Sequence, residues 1–92
     1  MDFPQILRQW RQQRRWPQLE LALRAAVSQR HLSFLEAGRA KPSREMVLRL
    51  AESLDVPLRE RNRWLLSAGY APAYTELALH APEMTPVRAA VE

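Results

Sequence analysis

The sequence predicts an all-α fold: a compact five-helix bundle followed by a short Pro/Ala-rich C-terminal extension. Three observations predict it. Apolar residues recur at i, i+3, i+4 and i+7 along most of the first 70 residues, the period of a helix with one buried stripe. The stripes are bounded by residues that start or stop helices. No window alternates apolar and polar residues with period two, so no strand is expected. Residues 1–70 then form one domain and residues 71–92 a linker or extension.

Helix 1 is expected over Phe3–Arg14, where Phe3, Ile6, Leu7 and Trp10 line one face. Pro17 suits a first helical turn, because its missing N–H has no partner to lose there. Helix 2 follows over Gln18–Ala25, with Leu21, Ala22 and Ala25 inward. Ser28 is a good N-cap for helix 3 over Gln29–Ala37, in which Leu32 and Leu35 are the buried pair. Gly38 stands where a left-handed residue closes a helix, and Arg39 to Pro42 forms a short basic loop. Ser43 caps helix 4 over Arg44–Leu54, with Val47, Leu50, Ala51 and Leu54 inward. Pro57 starts helix 5 over Leu58–Ala68, and Gly69 ends it. Beyond Ala71 come Pro72, Pro82 and Pro86, with short helical pieces expected at Tyr74–Leu79 and Thr85–Val91.

Length and composition bound the function. Ninety-two residues with 26% charged and 47% apolar side chains make one small globular unit. With no cysteine there is no disulfide or thiolate metal site, which fits a reducing cytoplasm. No apolar run reaches the roughly 18 residues of a membrane span, and the N-terminus does not read as a signal peptide. The expectation is a soluble cytoplasmic protein. The net charge is +4, concentrated in front: residues 1–44 carry nine basic side chains against Asp2, Glu20 and Glu36. All of the basic residues except Lys41 are arginine, suited to bidentate contact with phosphate and guanine. A polyanion partner and a plainly solvated basic surface both fit that charge.

Helices 2 and 3 carry the more specific signal. Counted from Gln18, Leu21 is fourth, Ala22 fifth, Ala25 eighth, Val27 tenth, Leu32 fifteenth and Leu35 eighteenth. A small fifth residue lets a second helix cross close by, and the others plug the wedge between the two, the pattern of a helix-turn-helix. The ninth position, Ala26, needs a positive φ that costs alanine roughly 1 kcal/mol.

The run PQLELALRAAVSQRHLSFLEAGRAKPSREMVLRLAESLDVP resembles the Xre family, the lambda-repressor and Cro-like helix-turn-helix regulators. The phrases QxELA, VSxxxLSxxExG and PSxxxxLRLAxxLDV carry the resemblance over about residues 3–68. Pro17 and Ala26 depart from the family's usual Ser or Thr and its usual Gly. The segment RERNRWLLSAGYAPAY, residues 59–74, is similar to the MmyB-like subgroup, in which a PAS-like domain that binds an acyl ligand follows. The expectation is a lambda-repressor-like bundle without that ligand-binding domain, either a truncation or a short relative.

Helix 3 should enter the major groove by its N-terminal residues. Gln29, Arg30, Ser33 and Phe34 are its outward side chains. Glutamine suits adenine and arginine suits guanine; the resemblance also implies base contact at Gln29, Arg30 and Phe34. Phe34 either packs on a thymine methyl or is partly buried in the core. His31 either reaches phosphate or is simply solvated. The resemblance implies that Gln18 holds a backbone phosphate, which the helix dipole favours. Arg39, Lys41 and Arg44 either grip phosphates, enter the minor groove or are solvated; Ser43 either caps helix 4 or meets phosphate. The resemblance further implies a structural pair between Arg11 and Glu36.

The partner implied is a double-stranded DNA operator, bound by a dimer on a pseudo-palindromic site. The surplus apolar density of Trp64, Leu65, Leu66, Tyr70 and Tyr74 either completes the core or packs a partner subunit or a following domain. Trp10, Trp16 and Trp64 read as packing rather than as stacking platforms for single strands. The competing reading is a protein-interaction module on the same fold, such as an antitoxin, which an apolar or acidic helix 3 face would have favoured. No nucleophile–base pair, carboxylate pair or phosphate loop suggests an enzyme. Neither His31 nor His80 has a second ligand at metal spacing, so no metal and no cofactor are expected.

Overall fold

A computed structural model of the chain describes residues 1–74. Five helices occur there, with no strand among the described residues: α1 (Phe3–Gln13), α2 (Gln18–Ala25), α3 (Gln29–Glu36), α4 (Arg44–Ser53) and α5 (Leu58–Ser67). The helical pieces expected at 74–79 and 85–91 lie outside the described residues, apart from Tyr74, which is not helical.

Side-chain caps start three of the five helices. Asp2 and Gln5 form a reciprocal capping box on α1, and the hydroxyls of Ser28 and Ser43 accept from the backbone N–H of His31 and Met46. Pro17 and Pro57 correct the expectation: each is the N-cap itself, one residue outside the helix, and offers no side-chain acceptor. Four helices also end one residue earlier than expected, at Gln13, Glu36, Ser53 and Ser67. Apolar periodicity follows side-chain burial, and a C-cap residue such as Leu54 is still buried although it is no longer helical.

All five helices close in the same way. A left-handed residue follows each last turn: Arg15 (φ 60°), Ala26 (φ 56°), Gly38 (φ 76°), Asp55 (φ 59°) and Gly69 (φ 92°). Each donates its N–H three residues back, and the next residue donates five back, as in Val27 N–H to Ala22 O at 3.0 Å. Trp16, Val27, Val56 and Tyr70 hold that next position and pack on the core; after α3 it is Arg39. Only two of the five left-handed residues are glycine. Ala26→Gly should therefore raise the unfolding free energy by about 0.5–1 kcal/mol, read from urea denaturation. An unchanged or lower midpoint would contradict the strain assigned to that turn.

The core gathers Phe3 and Leu7 of α1, Leu21, Ala22 and Ala25 of α2, Leu32 and Leu35 of α3, Val47, Leu50 and Ala51 of α4, and Trp64 and Leu65 of α5. Trp64 packs edge-on against Phe3 and Trp10, with ring centroids 5.9 and 6.3 Å away. The core reading therefore holds for Trp64 and Leu65, whereas Leu66 stays exposed. Trp10 and Trp16 are half-buried against the core. The packed unit runs past residue 70. Asn62 Oδ1 accepts from the N–H of Ala73 and Tyr74, and its Nδ2 donates to Tyr74 O, clamping that segment onto α5.

Candidate nucleic-acid interface

Ala22, 3% exposed, is buried on α2, which packs against both α3 and α4. A side chain one methyl in size lets the helices approach, and Leu32 and Leu35 fill the wedge beneath. Burying those two leucines turns the opposite edge of α3 outward. Gln29 and Arg30 are exposed there, and His31, Ser33 and Phe34 are half-exposed. Phe34 lies outside the hydrophobic core, so its partial burial is not core packing.

A polar cluster fixes α3 in this orientation. Glu36 is 4% exposed and faces inward. Its Oε2 accepts from Arg11 Nε at 2.6 Å, and its Oε1 accepts from Arg11 Nη2 at 2.8 Å, a bidentate fork. Gln18 Nε2 donates to the same Oε1 at 3.1 Å. Arg11 Nη1 donates to Trp16 O at 2.8 Å, and Arg8 Nη1 donates to Glu36 O at 3.0 Å, satisfying a carbonyl at the end of α3. The cluster thus ties α1, the start of α2 and the end of α3 together. It also neutralises the only carboxylate on α3 and keeps it off the outward face.

The remaining expected residues surround this face. The side-chain amide nitrogen of Gln18 is committed to Glu36. The backbone N–H groups of Gln18 and Leu19 open α2 before its first internal bonds and have no helical acceptor. Arg39 and Lys41 are exposed on the loop after α3, and Arg44 is exposed at the first position of α4. Ser43 Oγ accepts from Met46 N–H as the cap, leaving its own hydrogen to donate. Among the described residues, no carboxylate pairs with Arg30, Arg39, Lys41 or Arg44. Elsewhere Arg24 pairs with Glu20 and lies 4.2 Å from the Trp16 ring, and Arg14 Nη2 donates to Leu54 O. Both are occupied away from α3.

Three side chains make long-range contacts around this face that the sequence does not signal. Arg8 caps the end of α3 from 28 residues away. Asn62 clamps the chain after Gly69. Tyr70 donates its hydroxyl to Pro42 O at 2.6 Å and so braces the basic loop. No local spacing signals these contacts, because each depends on how distant helices pack.

Among the described residues, no group of three or more His, Asp or Glu side chains could hold a metal ion, and no helix is long and apolar enough to cross a membrane. The family model described as helix-turn-helix matches residues 7–61, more than half of the chain. No curated protein and no solved structure matches the sequence.

Proposed function

Since the chain belongs to the helix-turn-helix family of DNA-binding regulators, we propose that it is a sequence-specific transcriptional regulator that seats α3 in the major groove of double-stranded DNA. The observation that carries this reading is the pairing of an outward, unneutralised basic edge on α3 with an inward, fully bonded Glu36. A helix whose single acid is hidden and whose one arginine, Arg30, has no carboxylate partner among the described residues, flanked by exposed Arg39, Lys41 and Arg44, is matched to a polyanion.

In this reading Gln29, Arg30, Ser33 and Phe34 face base edges, Arg30 on guanine and Gln29 on adenine. Phosphates on one flank meet the opening N–H groups of α2 at Gln18. On the other flank they meet Arg39, Lys41, Arg44 and the Ser43 hydroxyl, and His31 on the first turn of α3 also reaches phosphate. Leu58 and Leu66, 39% and 58% exposed on α5, offer apolar contact for a homodimer through α5 and the C-terminal extension. Two half-sites would then lie about 34 Å apart. The segment 59–74 supports placement in the MmyB-like subgroup. Such a regulator works in the bacterial cytoplasm, at the nucleoid, and needs no metal, cofactor or catalytic group.

A binding titration over a range of salt concentrations tests the proposal. Affinity should fall linearly with salt on a log–log scale. Lys41→Ala should weaken enriched and random duplexes about equally and lower the salt slope by about one. Affinity that ignores salt would reject DNA as the partner.

A further inference from the structure

Several basic side chains of the described residues are held by oxygen. Arg11, Arg24 and Arg63 pair with carboxylates, and Arg14 and Arg61 donate to backbone carbonyls. Arg30, Arg39 and Lys41 are held differently. The guanidinium carbons of Arg30 and Arg39 each lie 5.5 Å from the centroid of the Phe34 ring, and Lys41 Nζ lies 5.6 Å from that of Tyr70. None of the three has a hydrogen-bond or ion-pair partner from its side chain among the described residues.

The end of α3 shows how this arises. At the other four helix ends, the residue after the left-handed position is apolar and packs on the core. After α3 that residue is Arg39, whose N–H donates to the carbonyl of Phe34 at 2.9 Å. The apolar contact that usually closes such a motif joins these same two positions. Here it is an arginine over an aromatic ring, on the outward face. Arg30, one turn earlier on α3, approaches the same ring. Two cations therefore converge with no anion between them, an arrangement that a ring quadrupole eases and a polyanion would relieve.

A carboxylate could also order these cations, but it would cancel their charge and have to be displaced by phosphate. An aromatic face orders them and leaves both the charge and the N–H edges free. We infer that Phe34 and Tyr70 are positioning residues of the DNA interface, whose rings seat Arg30, Arg39 and Lys41 without neutralising them. The inference rests on the DNA-binding reading above and adds to the base contact proposed for Phe34. Tyr70 lies outside the residues matched by the family, 7–61. Its bond to Pro42 means that the side chain seating Lys41 also fixes the loop that carries it.

The test compares ring-removing with ring-keeping variants of the full 92-residue chain. Phe34→Leu and Tyr70→Leu are set against Phe34→Trp and Tyr70→Phe. Each is titrated with a duplex enriched from a random pool and with a scrambled duplex, at several salt concentrations, below its melting transition. Phe34→Leu should weaken binding to the enriched duplex about five- to ten-fold and flatten the salt slope, while Phe34→Trp stays within about two-fold. Tyr70→Leu should weaken both duplexes about two- to five-fold, and Tyr70→Phe should keep the slope of the unaltered chain. Arg39→Ala and Phe34→Leu should combine less than additively, since they remove one contact. Phe34 lies outside the core, so this cycle stands even if Tyr70→Leu unfolds. Leucine variants that match their aromatic counterparts in affinity and slope, or an additive cycle, would overturn the inference and leave DNA binding intact. An unaltered chain that enriches no sequence and ignores salt would instead remove both readings.

Discussion

Replacing Glu36 with alanine should cost about 3–5 kcal/mol of stability, the range for breaking a buried ion pair by removing one partner. The carboxylate is 4% exposed and accepts from both arms of Arg11 and from Gln18. Removing it strands a guanidinium that is itself only 12% exposed, with the bond to Trp16 O as its one remaining contact. A domain of this size has about 5–15 kcal/mol in total, so the variant should lose a fifth or more of its stability. Urea denaturation followed by helical circular dichroism measures this. Glu36→Gln should fall between, because a neutral amide still offers an acceptor where the charge is lost. The double replacement Arg11→Met with Glu36→Leu should recover most of the loss, since no buried charge then remains. A single Glu36→Ala loss below about 1 kcal/mol would show that the cluster does not hold α3 in place.

Arg30→Ala should remove about 1–3 kcal/mol of discrimination at one base pair, the range for a bidentate arginine–guanine contact. That is about five- to 150-fold in relative affinity. Arg30 is exposed on the outward edge of α3 and has no carboxylate partner among the described residues, so its loss leaves the core untouched. Alanine is a strong helix former, so α3 should persist. Competition with duplexes carrying each substitution of the enriched site gives the profile. It should flatten at one position, while binding to random duplex falls only as one lost charge allows. A profile unchanged at every position would strip Arg30 of its reading role.

The fold was legible because its signals are local and repeated. Stripes such as Val47, Leu50, Ala51 and Leu54 can be read by counting, and all four residues are buried. The helix-turn-helix rests on positions whose sizes are visible in the sequence, and Ala22, Leu32 and Leu35 are buried where the crossing requires. The left-handed turn at Ala26 was legible from its position in the motif. Those at Arg15 and Asp55 were not, because neither is a glycine and the conformation is imposed by the closing bonds and the packing of Trp16 and Val56. The candidate interface was legible only as a set of outward polar residues on one helix. Its supports were not. Gln18 reaches Glu36 across 18 positions, Arg8 reaches the end of α3 across 28, and Tyr70 meets Lys41 from the end of α5. Such contacts exist only after the helices pack. Phe34 was ambiguous for the same reason: a helical phenylalanine suits the core, and only the packed bundle leaves it outside with two arginines on its ring.

In the proposed complex the outer edge of α3 meets base edges from the major groove. Methylation interference on duplexes enriched from a random pool tests it most directly, because guanine N7 lies in the major groove and adenine N3 in the minor groove. Duplexes methylated at guanine N7 should be excluded from the bound fraction at a few clustered guanines, in two clusters about 34 Å apart if the chain binds as a dimer. Methylation at adenine N3 should matter little beneath α3. Binding that tolerates N7 methylation at every guanine of the enriched site would rule out major-groove reading by α3.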